Sequence, residues 1–337
     1  MILDCHRHVI PAGMLTGAVP ADWRPELGRA DGQPAVSFRG RTLTSVTGEF
    51  ADVAAIVDEA ESAGVTHLLL SPWILLVPVG EEPALAARIC RVQNDSLAQA
   101  AADGPAGRVL GLGVVPLQDP DQAVAELEYL MTLPGMHGVE VPATIAGRPL
   151  ADESFLPFWE AAAGTGAIVF VHPTTTGLGL PGLERAYLWN SVGNPLETAI
   201  AVAQLVVAGV TERCPGLILL LAHGGGALLA LRGRLRRAFE VRAEARAAST
   251  AAPDDVLRRF YYDSLTHDRG LLAGLVDFAG ASHVLLGSDR PFDMGTTRPV
   301  EEIAALGLRA ADERLILGGN ASRLMRLPID PSEVARR

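Results

Sequence analysis

The chain has 337 residues, 49% of them apolar, with 35 Gly, 23 Pro and a formal net charge of −11. That acidic balance argues against nucleic acid or anionic membrane surfaces as general partners. All 28 basic residues are Arg, which excludes Schiff-base aldolases, pyridoxal enzymes, P-loop nucleotide enzymes and two-metal sites bridged by a carbamylated lysine, since each needs a lysine amine.

The first apolar segment, 2–9, contains His6 and His8. On a strand, period two sends both imidazoles to one side, and two neutral imidazoles side by side make half of a divalent-metal site. A His-x-His pair alone is weak evidence, so what counts is whether equivalent places supply further ligands. Residues 10–50 follow as a polar, Gly/Pro-containing insertion. Further apolar runs recur at 66–71, 109–116, 138–141, 167–172, 217–223, 260–264 and 283–288, which makes eight predicted strands. They are continuous rather than alternating, as in parallel strands covered on both faces.

Amphipathic or Ala-rich stretches separate them at 52–63, 84–102, 121–131, 155–163, 195–210, 228–246 and 300–306. Pro83, Pro195 and Asp119-Pro120-Asp121 read as helix starts. Alternating β and α units of this number predict a (β/α)8 TIM barrel with an insertion after strand 1, as one domain over 1–327 followed by a tail, 328–337. A doubly wound sheet would need a nucleotide-type glycine loop after strand 1, and His6-Arg7-His8-Val9-Ile10-Pro11 stands there instead. Cys5, Cys90 and Cys214 are widely separated and odd in number, which points to a reducing cytoplasm rather than a disulfide framework. The start shows no charged n-region, and the run 217–222 is too short and interrupted to span a membrane. The expectation is a soluble, cytoplasmic protein.

In a barrel the strand ends carry the chemistry. Strand 1 presents His6 and His8, strand 5 His172, strand 6 His223 and strand 8 Asp289. A lone histidine at any of these places reads as a hydrogen-bonded structural residue; five such groups on one face read as a site. His67, His137, His267 and His283 fall at strand starts or in loops and keep the structural reading. Nitrogen and carboxylate donors without a cysteine cluster favour Zn, Mn, Fe or Co over Mg or Ca. Three histidines, one aspartate and a water would make a mononuclear centre, leaving His223 as acid or base beside it.

At this point the chain resembles the amidohydrolase superfamily, and within it the α-amino-β-carboxymuconate-ε-semialdehyde decarboxylase group. The motifs are His6-Arg7-His8, Val171-His172-Pro173, the run Ala222-His223-Gly224-Gly225-Gly226-Ala227, and Gly287-Ser288-Asp289-Arg290-Pro291-Phe292. Gly193-Asn194-Pro195-Leu196-Glu197-Thr198 and Gly111-Leu112-Gly113-Val114-Val115-Pro116 look alike too. The resemblance implies that His6, His8, His172 and Asp289 bind one divalent metal, usually zinc, and that His223 transfers a proton. It implies a homodimer in which Arg234, after Gly233, reaches the neighbouring active site and grips a substrate carboxylate; otherwise Arg232, Arg234, Arg236 and Arg237 are one solvated helix face. Trp189 lies one residue from a pocket tryptophan of the group, and Phe292 is expected beside the substrate.

The group's second carboxylate-binding arginine falls near Thr47, where no arginine stands. Arg39 or Arg41 would need a different loop length, and Arg290 either replaces the missing contact or pairs with an acidic group. The leading expectation is therefore a metal-dependent, non-oxidative decarboxylase of a small aromatic or unsaturated carboxylic acid. Hydrolysis of a lactone, amide or ester is the alternative, a hydratase is a third, and a metal-binding protein without catalysis is the non-enzymatic reading.

Overall fold

Each of the eight apolar runs becomes a parallel strand. A computed structural model describes residues 1–105, 107–174 and 179–327; the expected tail at 328–337 lies outside the described residues. In chain order the strands are β1 (Leu3–Val9), β2 (Glu26–Ala30), β3 (Gln33–Phe38), β4 (Arg41–Leu43), β5 (His67–Pro72), β6 (Val109–Gly113), β7 (Met136–Pro142), β8 (Thr144–Ile145), β9 (Arg148–Pro149), β10 (Ile168–His172), β11 (Ile218–Leu221), β12 (Tyr261–Asp263) and β13 (Val284–Leu285). The helices are α1 (Val53–Ser62), α2 (Pro83–Asp103), α3 (Pro120–Leu130), α4 (Leu156–Thr165), α5 (Asn194–Val207), α6 (Val210–Arg213), α7 (Leu228–Val241), α8 (Pro253–Leu257), α9 (Arg269–Ala279), α10 (Pro299–Ala304), α11 (Ala310–Arg314) and α12 (Asn320–Met325).

The large sheet runs β1-β5-β6-β7-β10-β11-β12-β13. It closes where Cys5 N donates to Leu286 O (2.8 Å) and His8 N to Arg290 O (2.8 Å), so the chain beyond β13 lies beside β1. This is the predicted (β/α)8 barrel. Leu3, Cys5, Leu69, Leu110, Leu112, Phe170, Leu220 and Leu285 fill its interior, and a larger apolar layer seals strands to helices. Helix starts follow the sequence signals: Asp52 accepts from Ala54 N and Ala55 N, and Asp119 accepts from Gln122 N ahead of Pro120.

Three expectations need correction. Residues 10–50 are not a polar loop. Asp31-Gly32 and Arg39-Gly40, all at positive φ, make two-residue turns that fold β2, β3 and β4 into an antiparallel sheet. Val19, Trp23, Val36, Phe38, Val46 and Phe50 of this segment then bury against Trp73, Ile74 and Leu76. Each such large side chain contributes about 1.5–3 kcal/mol of burial free energy. The predicted helix 195–210 is two helices, because Gly209 (φ 67°) breaks it. The predicted strands 217–223 and 283–288 are shorter, since His223 (φ 56°) and Asp289 (φ 55°) leave the extended region.

Candidate metal centre and active site

β1 owes its useful side chains to an irregularity. Its pairing with β5 shifts register between Asp4 and Arg7. Leu3 and Cys5 belong to the barrel interior, and strict alternation would then send Arg7, not His6 and His8, inward. The shift re-phases the strand, as a bulge does. His6 and His8 become fully buried in the barrel mouth while Arg7 points outward to Glu59, 2.9 Å away.

Around this pair the other strand ends converge. His6 Nε2 and His8 Nε2 are 3.1 Å apart, and Asp289 Oδ1 lies 3.3 Å from each. His172, the last residue of β10, stacks edge-on to both rings at 5.3 and 4.9 Å. His6, His172, His223 and Asp289 offer ligand atoms within 4.8 Å of one another. The buried His172 Nε2 and Asp289 Oδ1 have no hydrogen-bond partner. Buried polar atoms without partners are costly, and here they face the same point as the Nε2 pair. The imidazole and carboxylate donors suit a divalent transition metal; the residues present fit such an ion.

The protonation of His8 and His172 supports this. Burial pushes His8 down and His172 well down, which keeps both neutral as metal ligands must be. Burial would lower His6 too, but the Asp289 and Asp263 carboxylates outweigh it and raise it to about 10. Asp289 is held well below the ordinary carboxylate range: burial would raise it, and the surrounding histidines, His6 foremost, prevail.

His223 sits on the turn after β11, partly exposed, with Nε2 3.3 Å from Asp289 Oδ2. Its left-handed backbone, like that of Asp289, costs about 1–3 kcal/mol each and marks positions held by their surroundings. The glycines behind it allow that turn. A Cβ on Gly226 (φ +62°) would lie 2.3 Å from Pro195 O at the start of α5.

Two residues of the site escaped the sequence reading. Asp263, at the end of β12, accepts from His6 Nδ1 at 2.5 Å, from His223 N at 2.8 Å and from Gly224 N at 2.7 Å. It fixes the His6 tautomer and the His223 turn together. Glu140, on β7, is fully buried, and burial holds its carboxyl well above the ordinary range. The available signal was positional: an acidic residue near the end of an otherwise apolar or aromatic strand.

The cavity over the centre is lined by Trp73, Tyr187, Trp189 and Phe292 beside His172, His223 and Asp289. Trp189 and Phe292 therefore face the cavity over the centre, and the Phe292 ring is 5.4 Å from that of His8. Arg290 is buried but turned away: its guanidinium donates to Glu59 and to Thr47 Oγ1. Arg39 pairs with Glu81 at 2.6 Å, and Arg41 is exposed on β4. Arg234 is exposed on α7, away from this cavity within one chain. Among the described residues, no arginine lines the cavity.

Comparison with known proteins agrees with this geometry. The amidohydrolase family profile matches residues 3–327. The 2-amino-3-carboxymuconate-6-semialdehyde decarboxylase of Dictyostelium discoideum is 32% identical over 279 residues, covering 82% of this chain and 77% of that protein. The 6-methylsalicylic acid decarboxylase of Penicillium expansum is 28% identical over 303 residues, covering 86% and 84%. The crystal structure of a dihydroxybenzoic acid decarboxylase from Polaromonas sp., with bound manganese and 2-nitroresorcinol, superposes with a TM-score of 0.77 at 22% identity, covering 98% of both chains. The chain belongs to the amidohydrolase family, in the group of the 2-amino-3-carboxymuconate-6-semialdehyde decarboxylase.

Proposed function

We propose that residues 1–327 act as one catalytic barrel domain, a metal-dependent, non-oxidative decarboxylase of a small aromatic or unsaturated carboxylic acid. The observation that carries the reading is the convergence of His6, His8, His172 and Asp289 on orphaned buried donor atoms, with His223 held by Asp289 at the floor of an aromatic cavity. His6, His8, His172 and Asp289 would hold one divalent transition metal, zinc first, with manganese, iron or cobalt as substitutes. When bound, the cation supplies Lewis-acid polarisation of the substrate carboxylate and an adjacent oxygen.

The chain's own residues do the rest. Trp73, Trp189 and Phe292 sandwich a flat ring and exclude water from it. As the bond to the carboxyl carbon breaks, its electron pair stays on the ring carbon and CO2 leaves. His223 delivers the proton that the carbon takes up, and Asp289 Oδ2 orients the imidazole for that transfer. Hydrolysis of a lactone, amide or ester by the same groups is not favoured, because the relatives named above are decarboxylases.

The assembly proposed is a homodimer. Arg234 is exposed and makes no ion pair among the described residues, while Ile200, Val207 and Leu231 expose apolar surface on α5 and α7. Pairing these faces would cover them and bring Arg234 to the neighbouring cavity as a carboxylate fork. A cytoplasmic location suits three free, buried cysteines. No helix among the described residues is long and apolar enough to cross a membrane.

The test is CO2 release from a panel of hydroxybenzoates and unsaturated acids by metal-loaded protein. Loss of CO2 release in His223→Asn, with the metal still bound, supports the assignment. Turnover of lactones or anilides with no CO2 from any acid would overturn it.

A further inference from the structure

Glu140 is not used by the chemistry above, and its position demands an explanation. It lies on β7, in register with Phe170 of β10, inside the barrel wall. Its side chain is fully buried, with the Ser71 hydroxyl as its hydrogen-bonding neighbour and neither oxygen in strict hydrogen-bond geometry. Taking a carboxylate out of water without a partner costs several kcal/mol. No arginine pairs with it among the described residues, and the chain has no lysine. What surrounds it is the metal centre: Oε1 is 3.8 Å from His8 Nδ1 and 4.0 Å from His172 Nδ1.

Those distances place Glu140 on the rear of both imidazoles. His8 Nδ1 faces Pro72 O at 3.3 Å and His172 Nδ1 faces Pro173 O at 2.8 Å, so the Nε2 atoms are the ones left for a cation. Glu140 Oε1 lies on the Nδ1 side of both rings, and His8, Glu140 and His172 offer ligand atoms within 4.8 Å of one another. The Glu140 charge sits behind two ligands at once, on the side opposite Asp289.

We propose that Glu140 is a positioning residue of the metal centre, a buried carboxylate behind His8 and His172 whose charge is compensated by the bound cation. The inference rests on the metal-centre reading and extends it. The Pro72 and Pro173 carbonyls hold the two tautomers, and a carboxylate behind the rings adds negative potential that strengthens both as donors; loss of a partner behind a metal ligand typically weakens metal binding by about ten- to a hundredfold. In the metal-free protein burial alone acts on Glu140 and favours its neutral form, so there it adds no electrostatic stability.

A role confined to the metal-bound protein is separable from a packing role, which would stabilise the metal-free protein as well. The experiment titrates metal-free wild type, Glu140→Gln and Glu140→Asp with Zn2+ against a competing chelator, and measures the melting temperature of each metal-free protein. Glu140→Gln, nearly isosteric and neutral, is expected to bind Zn2+ about ten- to a hundredfold more weakly, with a metal-free melting temperature equal to or above that of wild type. Glu140→Asp, which keeps the charge, is expected to recover part of the affinity. Equal Zn2+ affinity in wild type and Glu140→Gln overturns the inference while leaving the metal centre standing. So does a Glu140→Gln protein that fails to fold or melts lower without metal, since Glu140 would then be structural. Absence of Zn2+ binding by wild type overturns the metal-centre reading itself, and this inference with it.

Discussion

At the scale of single residues, the proposed site separates holding a cation from moving a proton. His172 offers an Nε2 with no partner, deep in the barrel, whereas His223 is partly exposed to the cavity and already bonded to Asp289. Substituting the two should therefore produce different losses. His172→Asn should lose bound metal and activity together. His223→Asn should retain metal, by elemental analysis of the purified protein, and lose about 10²–10⁴-fold in turnover, the usual contribution of a positioned acid or base. If His223→Asn loses its metal as well, His223 is a ligand and the proton must come from elsewhere. The meeting of these residues at one mouth of the barrel was legible from their places at strand ends. Asp263 and Glu140 were not, because a single acidic residue near an apolar strand's end looks like an edge or turn residue until its neighbours are known. The outward turn of Arg290 was equally hidden: it depends on Glu59 of α1 and Thr47, distant in sequence, meeting one guanidinium.

At the scale of elements, local signals were reliable where the chain obeys one period and failed where it changes phase. Proline and aspartate at the starts of α1, α2 and α3 mark their caps within a residue or two. The insertion was misread as loop although Asp31-Gly32 is a strong hairpin signal, because β2 is mostly exposed and shows no apolar face. Loop anchoring beyond α6 gives a further prediction. Glu212 accepts from Thr250 N at 2.9 Å, Thr250 Oγ1 at 2.7 Å, Ala251 N at 3.1 Å and the Ser249 hydroxyl, tying the approach to α8 onto α6. Those donors, the Ser249 hydroxyl first, pull its carboxyl from 4.5 down to about 2. A depressed folded pKa means the stabilisation is complete above pH 4.5 and is lost as pH falls toward 2. Glu212→Gln should therefore cost about 1 kcal/mol near neutrality, discounted for its solvent-facing setting. The difference from wild type should vanish at the acid end. Denaturant melts at several pH values check this, and a difference that stays constant down to pH 2 would remove Glu212 as the cause.

For the whole molecule, the proposed metal centre joins β1, β10 and the chain beyond β13, so a bound cation should act as a staple across the barrel. Ligands that bind only the folded state stabilise it by mass action, about 4 kcal/mol at a thousandfold excess over Kd. For a chain of this size that corresponds to a shift on the order of 5 °C. Chelation followed by calorimetry should lower the melting temperature by that order, and restoring Zn2+ or Mn2+ should reverse it. A melting temperature indifferent to chelation would mean that no cation bridges these strands.

Composition and local pattern by themselves determined the barrel. Eight apolar runs separated by helical stretches have few ways to bury both faces, and a closed parallel sheet is the one that suits this spacing. They also determined that the ligand types stand at strand ends, since a strand's end is a sequence property. Only the tertiary structure decided which way those side chains point. The register shift inside β1 turns His6 and His8 inward, Asp263 locks the His6 ring to the His223 turn, and Glu140 comes to lie behind two imidazoles from strands far apart in the chain. These are consequences of closure, because register and long-range pairing depend on partners that no local window contains.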